Sequence, residues 1–139
     1  MRHLGTERWT REQAEASIEH TIESYRRYGF GVWLAEDRET GAPVGRVGLS
    51  YHRAWPDDPE VGWWIDPARW GEGLATEAGA ATLAYAFDVL RLPRVVSICV
   101  EENVASRRVM EKLELRKLAE VPFPELDLVL WVHARSRAA

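Results

Sequence analysis

A single cysteine, Cys99, leaves no partner for an internal disulfide, so the fold cannot depend on covalent staples. No apolar run approaches the roughly 20 residues needed to cross a bilayer, which argues against a membrane-spanning helix and a membrane partner. The opening stretch, MRHLGTERW, lacks the basic-then-apolar pattern of a secretory leader, and a cytoplasmic location is the resulting expectation. Positive charge is not in excess: 18 basic residues against 22 acidic give a formal charge of -4. That balance argues against a protein that tracks nucleic-acid phosphates, and it suits a cationic substrate better. The four histidines, His3, His20, His52 and His133, show no ligand spacing, so no metal site is expected. With no internal repeat, low-complexity tract or linker, residues 1–139 read as one domain around one core.

What is present is a patterned α/β chain. Thr10 and Gln13 form a capping box for a helix that carries Ala14, Ile18, Ile22 and Tyr25 on one face and stops at Gly29. Gly31 to Glu36 and Pro43 to Tyr51 read as an antiparallel pair joined by the turn residues Asp37 to Gly41. A proline-containing loop, Ala54 to Pro59, then leads to a third strand, Glu60 to Ile65, closed by Asp66-Pro67. A glycine loop and a long helical stretch to Leu90 follow, with Ala80, Leu83, Phe87 and Leu90 at helical spacing. Arg94 to Val100 is apolar and β-branched, as in a strand buried on both faces and parallel to its predecessor. Asn103 caps a short helix whose Ala105, Val109 and Leu113 face inward. Arg116 to Val121 and Asp127 to His133 close the chain as a hairpin, and Ala134 to Ala139 form a frayed tail. The predicted class is α/β (α+β), with a mixed central sheet, antiparallel N-terminal strands and a parallel pair flanked by helices.

The turn Trp70-Gly71-Glu72-Gly73-Leu74-Ala75 is the chemically informative segment. Two glycines directly before a helix let the backbone bend closely and aim free N–H groups, with the positive helix end, at one point, where an anion is stabilised. Spacing alone leaves close packing as an equal reading. A phosphate loop of the Walker type is excluded because no Gly-Lys-Ser/Thr follows, and the dinucleotide fingerprint fails for want of its third glycine.

Three segments in order, Glu60-Val61-Gly62-Trp63-Trp64-Ile65-Asp66-Pro67, then Trp70 to Ala78, then Asn103 to Leu113, resemble the GNAT superfamily of acyl-CoA-dependent N-acetyltransferases, and within it the ribosomal-protein alanine N-acetyltransferase branch. The resemblance runs from about Trp9 to Trp131. Gly73 and Ala75 match the end of the superfamily's loop pattern, and Trp70 stands where Gln or Arg is usual. The resemblance implies a GNAT-like fold, transfer of an acetyl group from acetyl-CoA to an amine, and a coenzyme pyrophosphate cradled by the backbone of Trp70, Gly71, Glu72, Gly73, Leu74, Ala75 and Thr76. It also implies that the strand ending at Ile65 pairs with the pantetheine arm, and that Asn103 contacts the coenzyme. The family normally begins with a strand and helix that this chain does not show. The edge so exposed offers a site for a homodimer. Glu114-Leu115 replaces the family's Gly-Phe, so the helix before it is expected to lack a left-handed terminator.

Amide formation from a thioester needs a neutral amine, a site for the oxyanion and a proton for the thiolate. Glu60 is the candidate base, the alternative being a solvated carboxylate at a strand start. A backbone N–H near Trp64 or Ile65 is the candidate oxyanion donor. Many family members place a Tyr acid near the chain end, but Trp131 stands there; Ser106 is the remaining polar group on the motif, and the resemblance implies that it lies near the thiol, against a helix-start serine bonding locally. Asn103 can serve as N-cap and coenzyme contact together. Cys99 reads as inert core. Trp33, Trp63 and Trp64 suggest an aromatic-walled cleft, and Asp57, Asp58 and Glu60 a preference for a cation. A non-catalytic acyl-CoA-binding domain is the alternative function.

Overall fold

The computed structural model describes residues 10–138. Residues 1–9, including Trp9, and Ala139 lie outside the described residues. Helix α1 (Arg11–Tyr28) begins in the expected capping box, with Thr10 and Gln13 each bonding the other's backbone N–H, and ends at Gly29 in the left-handed conformation. Its inward side differs from the predicted one. Ile18 and Ile22 stay 60% and 51% exposed, while Ser24 is buried, its hydroxyl donating 2.7 Å to the Phe30 carbonyl. Ser24 and Tyr25, rather than the isoleucines, decide which side of the helix meets the sheet. Tyr25 packs on Trp33, ring centroids 6.3 Å apart.

Strands β1 (Val32–Glu36), β2 (Pro43–His52), β3 (Trp55–Ile65), β4 (Arg94–Val100), β5 (Arg116–Phe123) and β6 (Leu128–Ser136) form one sheet in the order β1-β2-β3-β4-β6-β5. Neighbours are antiparallel except β3 and β4. This is the predicted mixed sheet. Two boundaries differ. β3 starts at Trp55, inside the expected loop, because Asp58 is fixed to Arg94 and to the Trp55 indole and keeps the proline-containing stretch extended. At the other end β6 continues to Ser136, and Arg137 N–H bonds the Pro93 carbonyl, so most of the predicted frayed tail is ordered.

Between β3 and β4 lie the 3₁₀ turn Pro67–Arg69, helix α2 (Leu74–Ala84) and one π turn, Tyr85–Val89. Helix α3 (Val104–Lys112) links β4 to β5. Its buried residues are Met110 and, just past its end, Leu113, while Ala105 is exposed, against expectation. At Gly79 of α2 a Cβ would come within 2.7 Å of Leu113 Cδ1, so glycine lets α2 approach α3 closely. Leu49, Val61, Leu83, Val95, Met110 and Leu115 are almost wholly enclosed, each such side chain contributing roughly 1.5–3 kcal/mol. Contrary to expectation, α3 keeps a left-handed terminator: Glu114 adopts φ 61, and Leu115 N–H reaches back to the Met110 carbonyl.

Candidate active site

The site is built where β3 and β4 part. Asp66 N–H bonds the Val44 carbonyl of β2. Along an antiparallel ladder orientation alternates, so Trp64 and Gly62 turn their backbone groups to β2, while Ile65, Trp63 and Val61 turn theirs toward β4. Two bonds agree with this: the Trp70 indole donates 2.8 Å to the Ile65 carbonyl, and the Ser97 hydroxyl donates 3.0 Å to the Val61 carbonyl. β3 and β4 share only the register pair Glu60 with Val96. Above it the gap-facing amides are those of Trp63 and Ile65. Trp64, named from the sequence beside Ile65, uses its own amide within the β2–β3 ladder, and the Trp63 amide, not named from the sequence, is the second one that faces the gap.

Glu60 sits at the parting point, its carboxylate accepting the Ile98 N–H at 3.1 Å. Burial pushes its pKa up from 4.5 to about 7, and the single Ile98 bond only partly opposes that. A carboxyl poised near neutrality suits proton transfer. From Glu60 to Ile65, five residues of strand cover about 16 Å.

At the far end of that path Gly71 and Gly73 hold φ 84 and 76, a region closed to most side chains, and a Cβ on either would meet nothing within 4 Å. The loop is thus glycine for its conformation, and its outer side is open. Gly73 is the N-cap of α2 and supplies no side-chain bond, leaving the first-turn N–H groups of Leu74, Ala75 and Thr76 uncapped. Uncapped amides plus the helix dipole make a donor set for a pyrophosphate, so these residues fit the coenzyme that the sequence implies. Arg69 anchors the loop from behind, donating to Glu72 at 2.7 Å and to Asp37 in the β1–β2 turn at 2.9 Å. Asp37 also takes the N–H groups of Glu39 and Thr40, and these bonds with Arg69 hold its carboxyl below the ordinary value.

Asn103 is buried and caps α3 through Oδ1, which accepts the Ser106 N–H at 3.1 Å. The capping role is therefore real, and it places Ser106 in the first turn, half-buried. Cys99 packs with its sulfur 4.0 Å from that of Met110, and burial pushes its thiol up to about 11, as suits an inert core residue. Trp131 carries Lys117 over its ring, Nζ 3.4 Å from the centroid, with the Arg107 guanidinium at 5.3 Å. Nearby His133 is buried, and burial first, then Lys117 and Arg107, lowers its pKa.

A cleft of about 680 Å³ opens beside Ile65 and Leu74. Its aromatic walls are Trp33 and Tyr85, whose rings meet edge to face at 5.3 Å. Trp63 packs by Gly79 of α2, and Trp64, the next residue along the strand, points to the other face, so the three tryptophans do not form one wall. The expected acidic residues also differ. Asp58 is committed to Arg94, and the carboxylates on the cleft are Glu36, Asp37, Glu39 and Glu77. Among the described residues no group of three or more His, Cys, Asp or Glu is placed to hold a metal, and no helix is long and apolar enough to cross a membrane.

Residues 1–116 match the family profile of the acetyltransferase (GNAT) domain. YjcK of Bacillus subtilis strain 168, described as a probable N-acetyltransferase, is 32% identical over 97 residues, which cover 69% of this chain and 52% of YjcK. The chain spans about half the length of several curated relatives that it matches. A solved structure assigned to the GNAT acetyltransferases, from Bordetella pertussis, superposes with a TM-score of 0.86 at 26% identity, over 97% of this chain and 83% of that one. RimL, a ribosomal L7/L12 α-N-protein acetyltransferase solved with coenzyme A, shares the fold at TM-score 0.78 and 18% identity, over 93% of this chain and 74% of its own. With the glycine loop, the parted strands and the family profile in agreement, this chain belongs to the GNAT acetyltransferase family.

Proposed function

We propose that this protein is an N-acetyltransferase that moves an acetyl group from acetyl-CoA to a primary amine, by direct attack of the amine on the thioester. The observation that carries the reading is one path: uncapped amides at the start of α2, gap-facing amides of Ile65 and Trp63, and a carboxyl at Glu60 about 16 Å further along β3. Acetyl-CoA supplies the acyl carbonyl and a good leaving group when bound. The backbone from Trp70 through Gly71, Glu72, Gly73, Leu74 and Ala75 to Thr76 holds its pyrophosphate, and β3 lines its arm. Glu60, ionised near neutral pH, takes the proton from the incoming ammonium directly or through water, and so frees the nucleophile. The Trp63 or Ile65 N–H faces the gap where an oxyanion would form. Ser106, held in the first turn of α3 by the Asn103 cap, is the group assigned to the thiol in this reading.

The cleft supports a reading of the acceptor class. The carboxylates Glu36, Asp37, Glu39 and Glu77 outnumber Arg38 and Arg69 around the aromatic walls of Trp33 and Tyr85, which favours a cationic amine with an apolar part, whether a peptide or protein N-terminus or a small molecule. The proposal includes a homodimer through the outer edge of β1, where Leu34 is 60% exposed, and residence in the cytoplasm. Thiol release from acetyl-CoA, followed over a panel of amines and N-terminal peptides with the native protein and Glu60→Gln, tests the chemistry. Release that needs both an amine and Glu60 is the expected result. Release unaffected by Glu60→Gln would remove the base assignment, and coenzyme binding without release from any amine would favour a non-catalytic acyl-CoA-binding domain.

A further inference from the structure

Strands of a sheet are normally joined by a ladder of backbone hydrogen bonds. β2 and β3 stay in register from Gly45/Ile65 to Ser50/Glu60, and β4 pairs with β6 along its whole length, yet β3 and β4, at the centre of the sheet, share one pair. Side chains supply the rest of the junction. Before Glu60, Asp58 Oδ2 accepts Arg94 Nε at 3.0 Å and Nη2 at 2.7 Å, together with the Trp55 indole at 2.9 Å. After it, the Ser97 hydroxyl of β4 donates to the Val61 carbonyl of β3 at 3.0 Å. Glu60 itself crosses to the Ile98 N–H at 3.1 Å. Asp58 and Ser97 are 8% and 2% exposed, so neither bond is diluted by water.

We propose that Asp58 and Ser97 are positioning residues of the transfer reaction, clamping β3 to β4 on either side of Glu60 and so setting the depth of its carboxylate and the point at which the strands part. Asp58 behaves as a committed ion-pair partner: burial works against its ionisation, but the bonds from Arg94 and Trp55 prevail and keep its carboxyl below the ordinary value. Ser97 is the one polar residue in the Val95-Val96-Ser97-Ile98-Cys99-Val100 run, and without its hydroxyl the buried Val61 carbonyl loses its partner. The strands can relieve that loss by parting earlier. More water then reaches the half-buried Glu60, and the desolvation that raises its pKa is reduced.

The role of these two residues in turnover rests on the transferase reading, but the clamp is measurable without turnover. In the ¹⁵N-labelled full chain, the Ile98 amide shift followed against pH reports the charge on its partner, Glu60. The native midpoint is expected at about 7. Ser97→Ala and Asp58→Asn should each move it down by about one unit toward the ordinary glutamate value, and Ser97→Thr, which keeps the hydroxyl, should restore it. Melting temperatures taken on the same samples separate positioning from stability. Variants that melt earlier but leave the Ile98 midpoint in place would overturn the proposal, as would a native Ile98 amide that does not titrate near neutrality. If Ser97→Ala does not fold, Asp58→Asn decides by the same criterion. A native protein that fails to bind acetyl-CoA would sink the transferase reading, while the Ile98 measurement would still decide the clamp.

Discussion

Glu60 shows how one residue's surroundings set its chemistry. A carboxyl drawn out of water with one backbone donor loses more solvation than it regains, and its pKa climbs to about 7. Because the folded value lies above the ordinary 4.5, the folded state retains this proton where the unfolded chain has released it. The resulting stabilisation is complete below about 4.5 and is lost as pH rises through about 7. Replacing Glu60 with Gln keeps an acceptor for Ile98 and removes the buried charge. The expected outcome is a fall in kcat of roughly 10²–10⁴, with a melting temperature raised at pH 8 and nearly unchanged at pH 5. In the native protein, turnover of the proposed reaction should decline as pH drops through about 7. A flat profile across pH 6–8 would exclude Glu60 as the base.

At the scale of elements, the two helix ends carry opposite lessons. Gly73 occupies a left-handed N-cap beside open space, so Gly73→Ala meets no clash but costs about 1 kcal/mol of backbone strain. Its methyl would occupy the open space beside the first-turn amides that the proposal gives to the pyrophosphate. Calorimetry should show acetyl-CoA affinity falling by about tenfold or more, well beyond the loss of stability. Glu114, in contrast, pays that strain at the end of α3 with φ 61, and Glu114→Gly should raise stability by about 0.5–1 kcal/mol in a denaturant titration, without changing kcat. The sequence carried the capping box, the hairpins and the glycine loop because each is a local pattern of named residues. It did not carry the start of β3 or the inner side of α1. Trp55 to Asp58 are extended by an ion pair to Arg94, 36 residues away, and α1 is oriented by Ser24 and Tyr25 rather than by its isoleucines. Ser97 lay unnoticed within a strand read as apolar, because its partner, the Val61 carbonyl on β3, is 36 residues away in the chain.

At the scale of the whole sheet, the order β1-β2-β3-β4-β6-β5 puts the parted pair at the centre and, among the described residues, leaves β1 at an edge. The Arg53–Glu125 ion pair, with His52 against Phe123 at 5.9 Å, ties the β2–β3 hairpin to the β5–β6 connection. Glu60 was legible as a residue, whereas its burial depends on this assembled sheet. The edge of β1 carries the assembly prediction: sedimentation at tens of micromolar should show a dimer that Leu34→Lys converts to monomer, and a native monomer would refute it. The central claim is that the start of α2 and the gap beside β3 hold acetyl-CoA. Calorimetric titration of the native protein with acetyl-CoA tests it most directly. The account predicts a single saturable site, weakened by Gly73→Ala, whereas no heat of binding, or binding indifferent to that change, would contradict it.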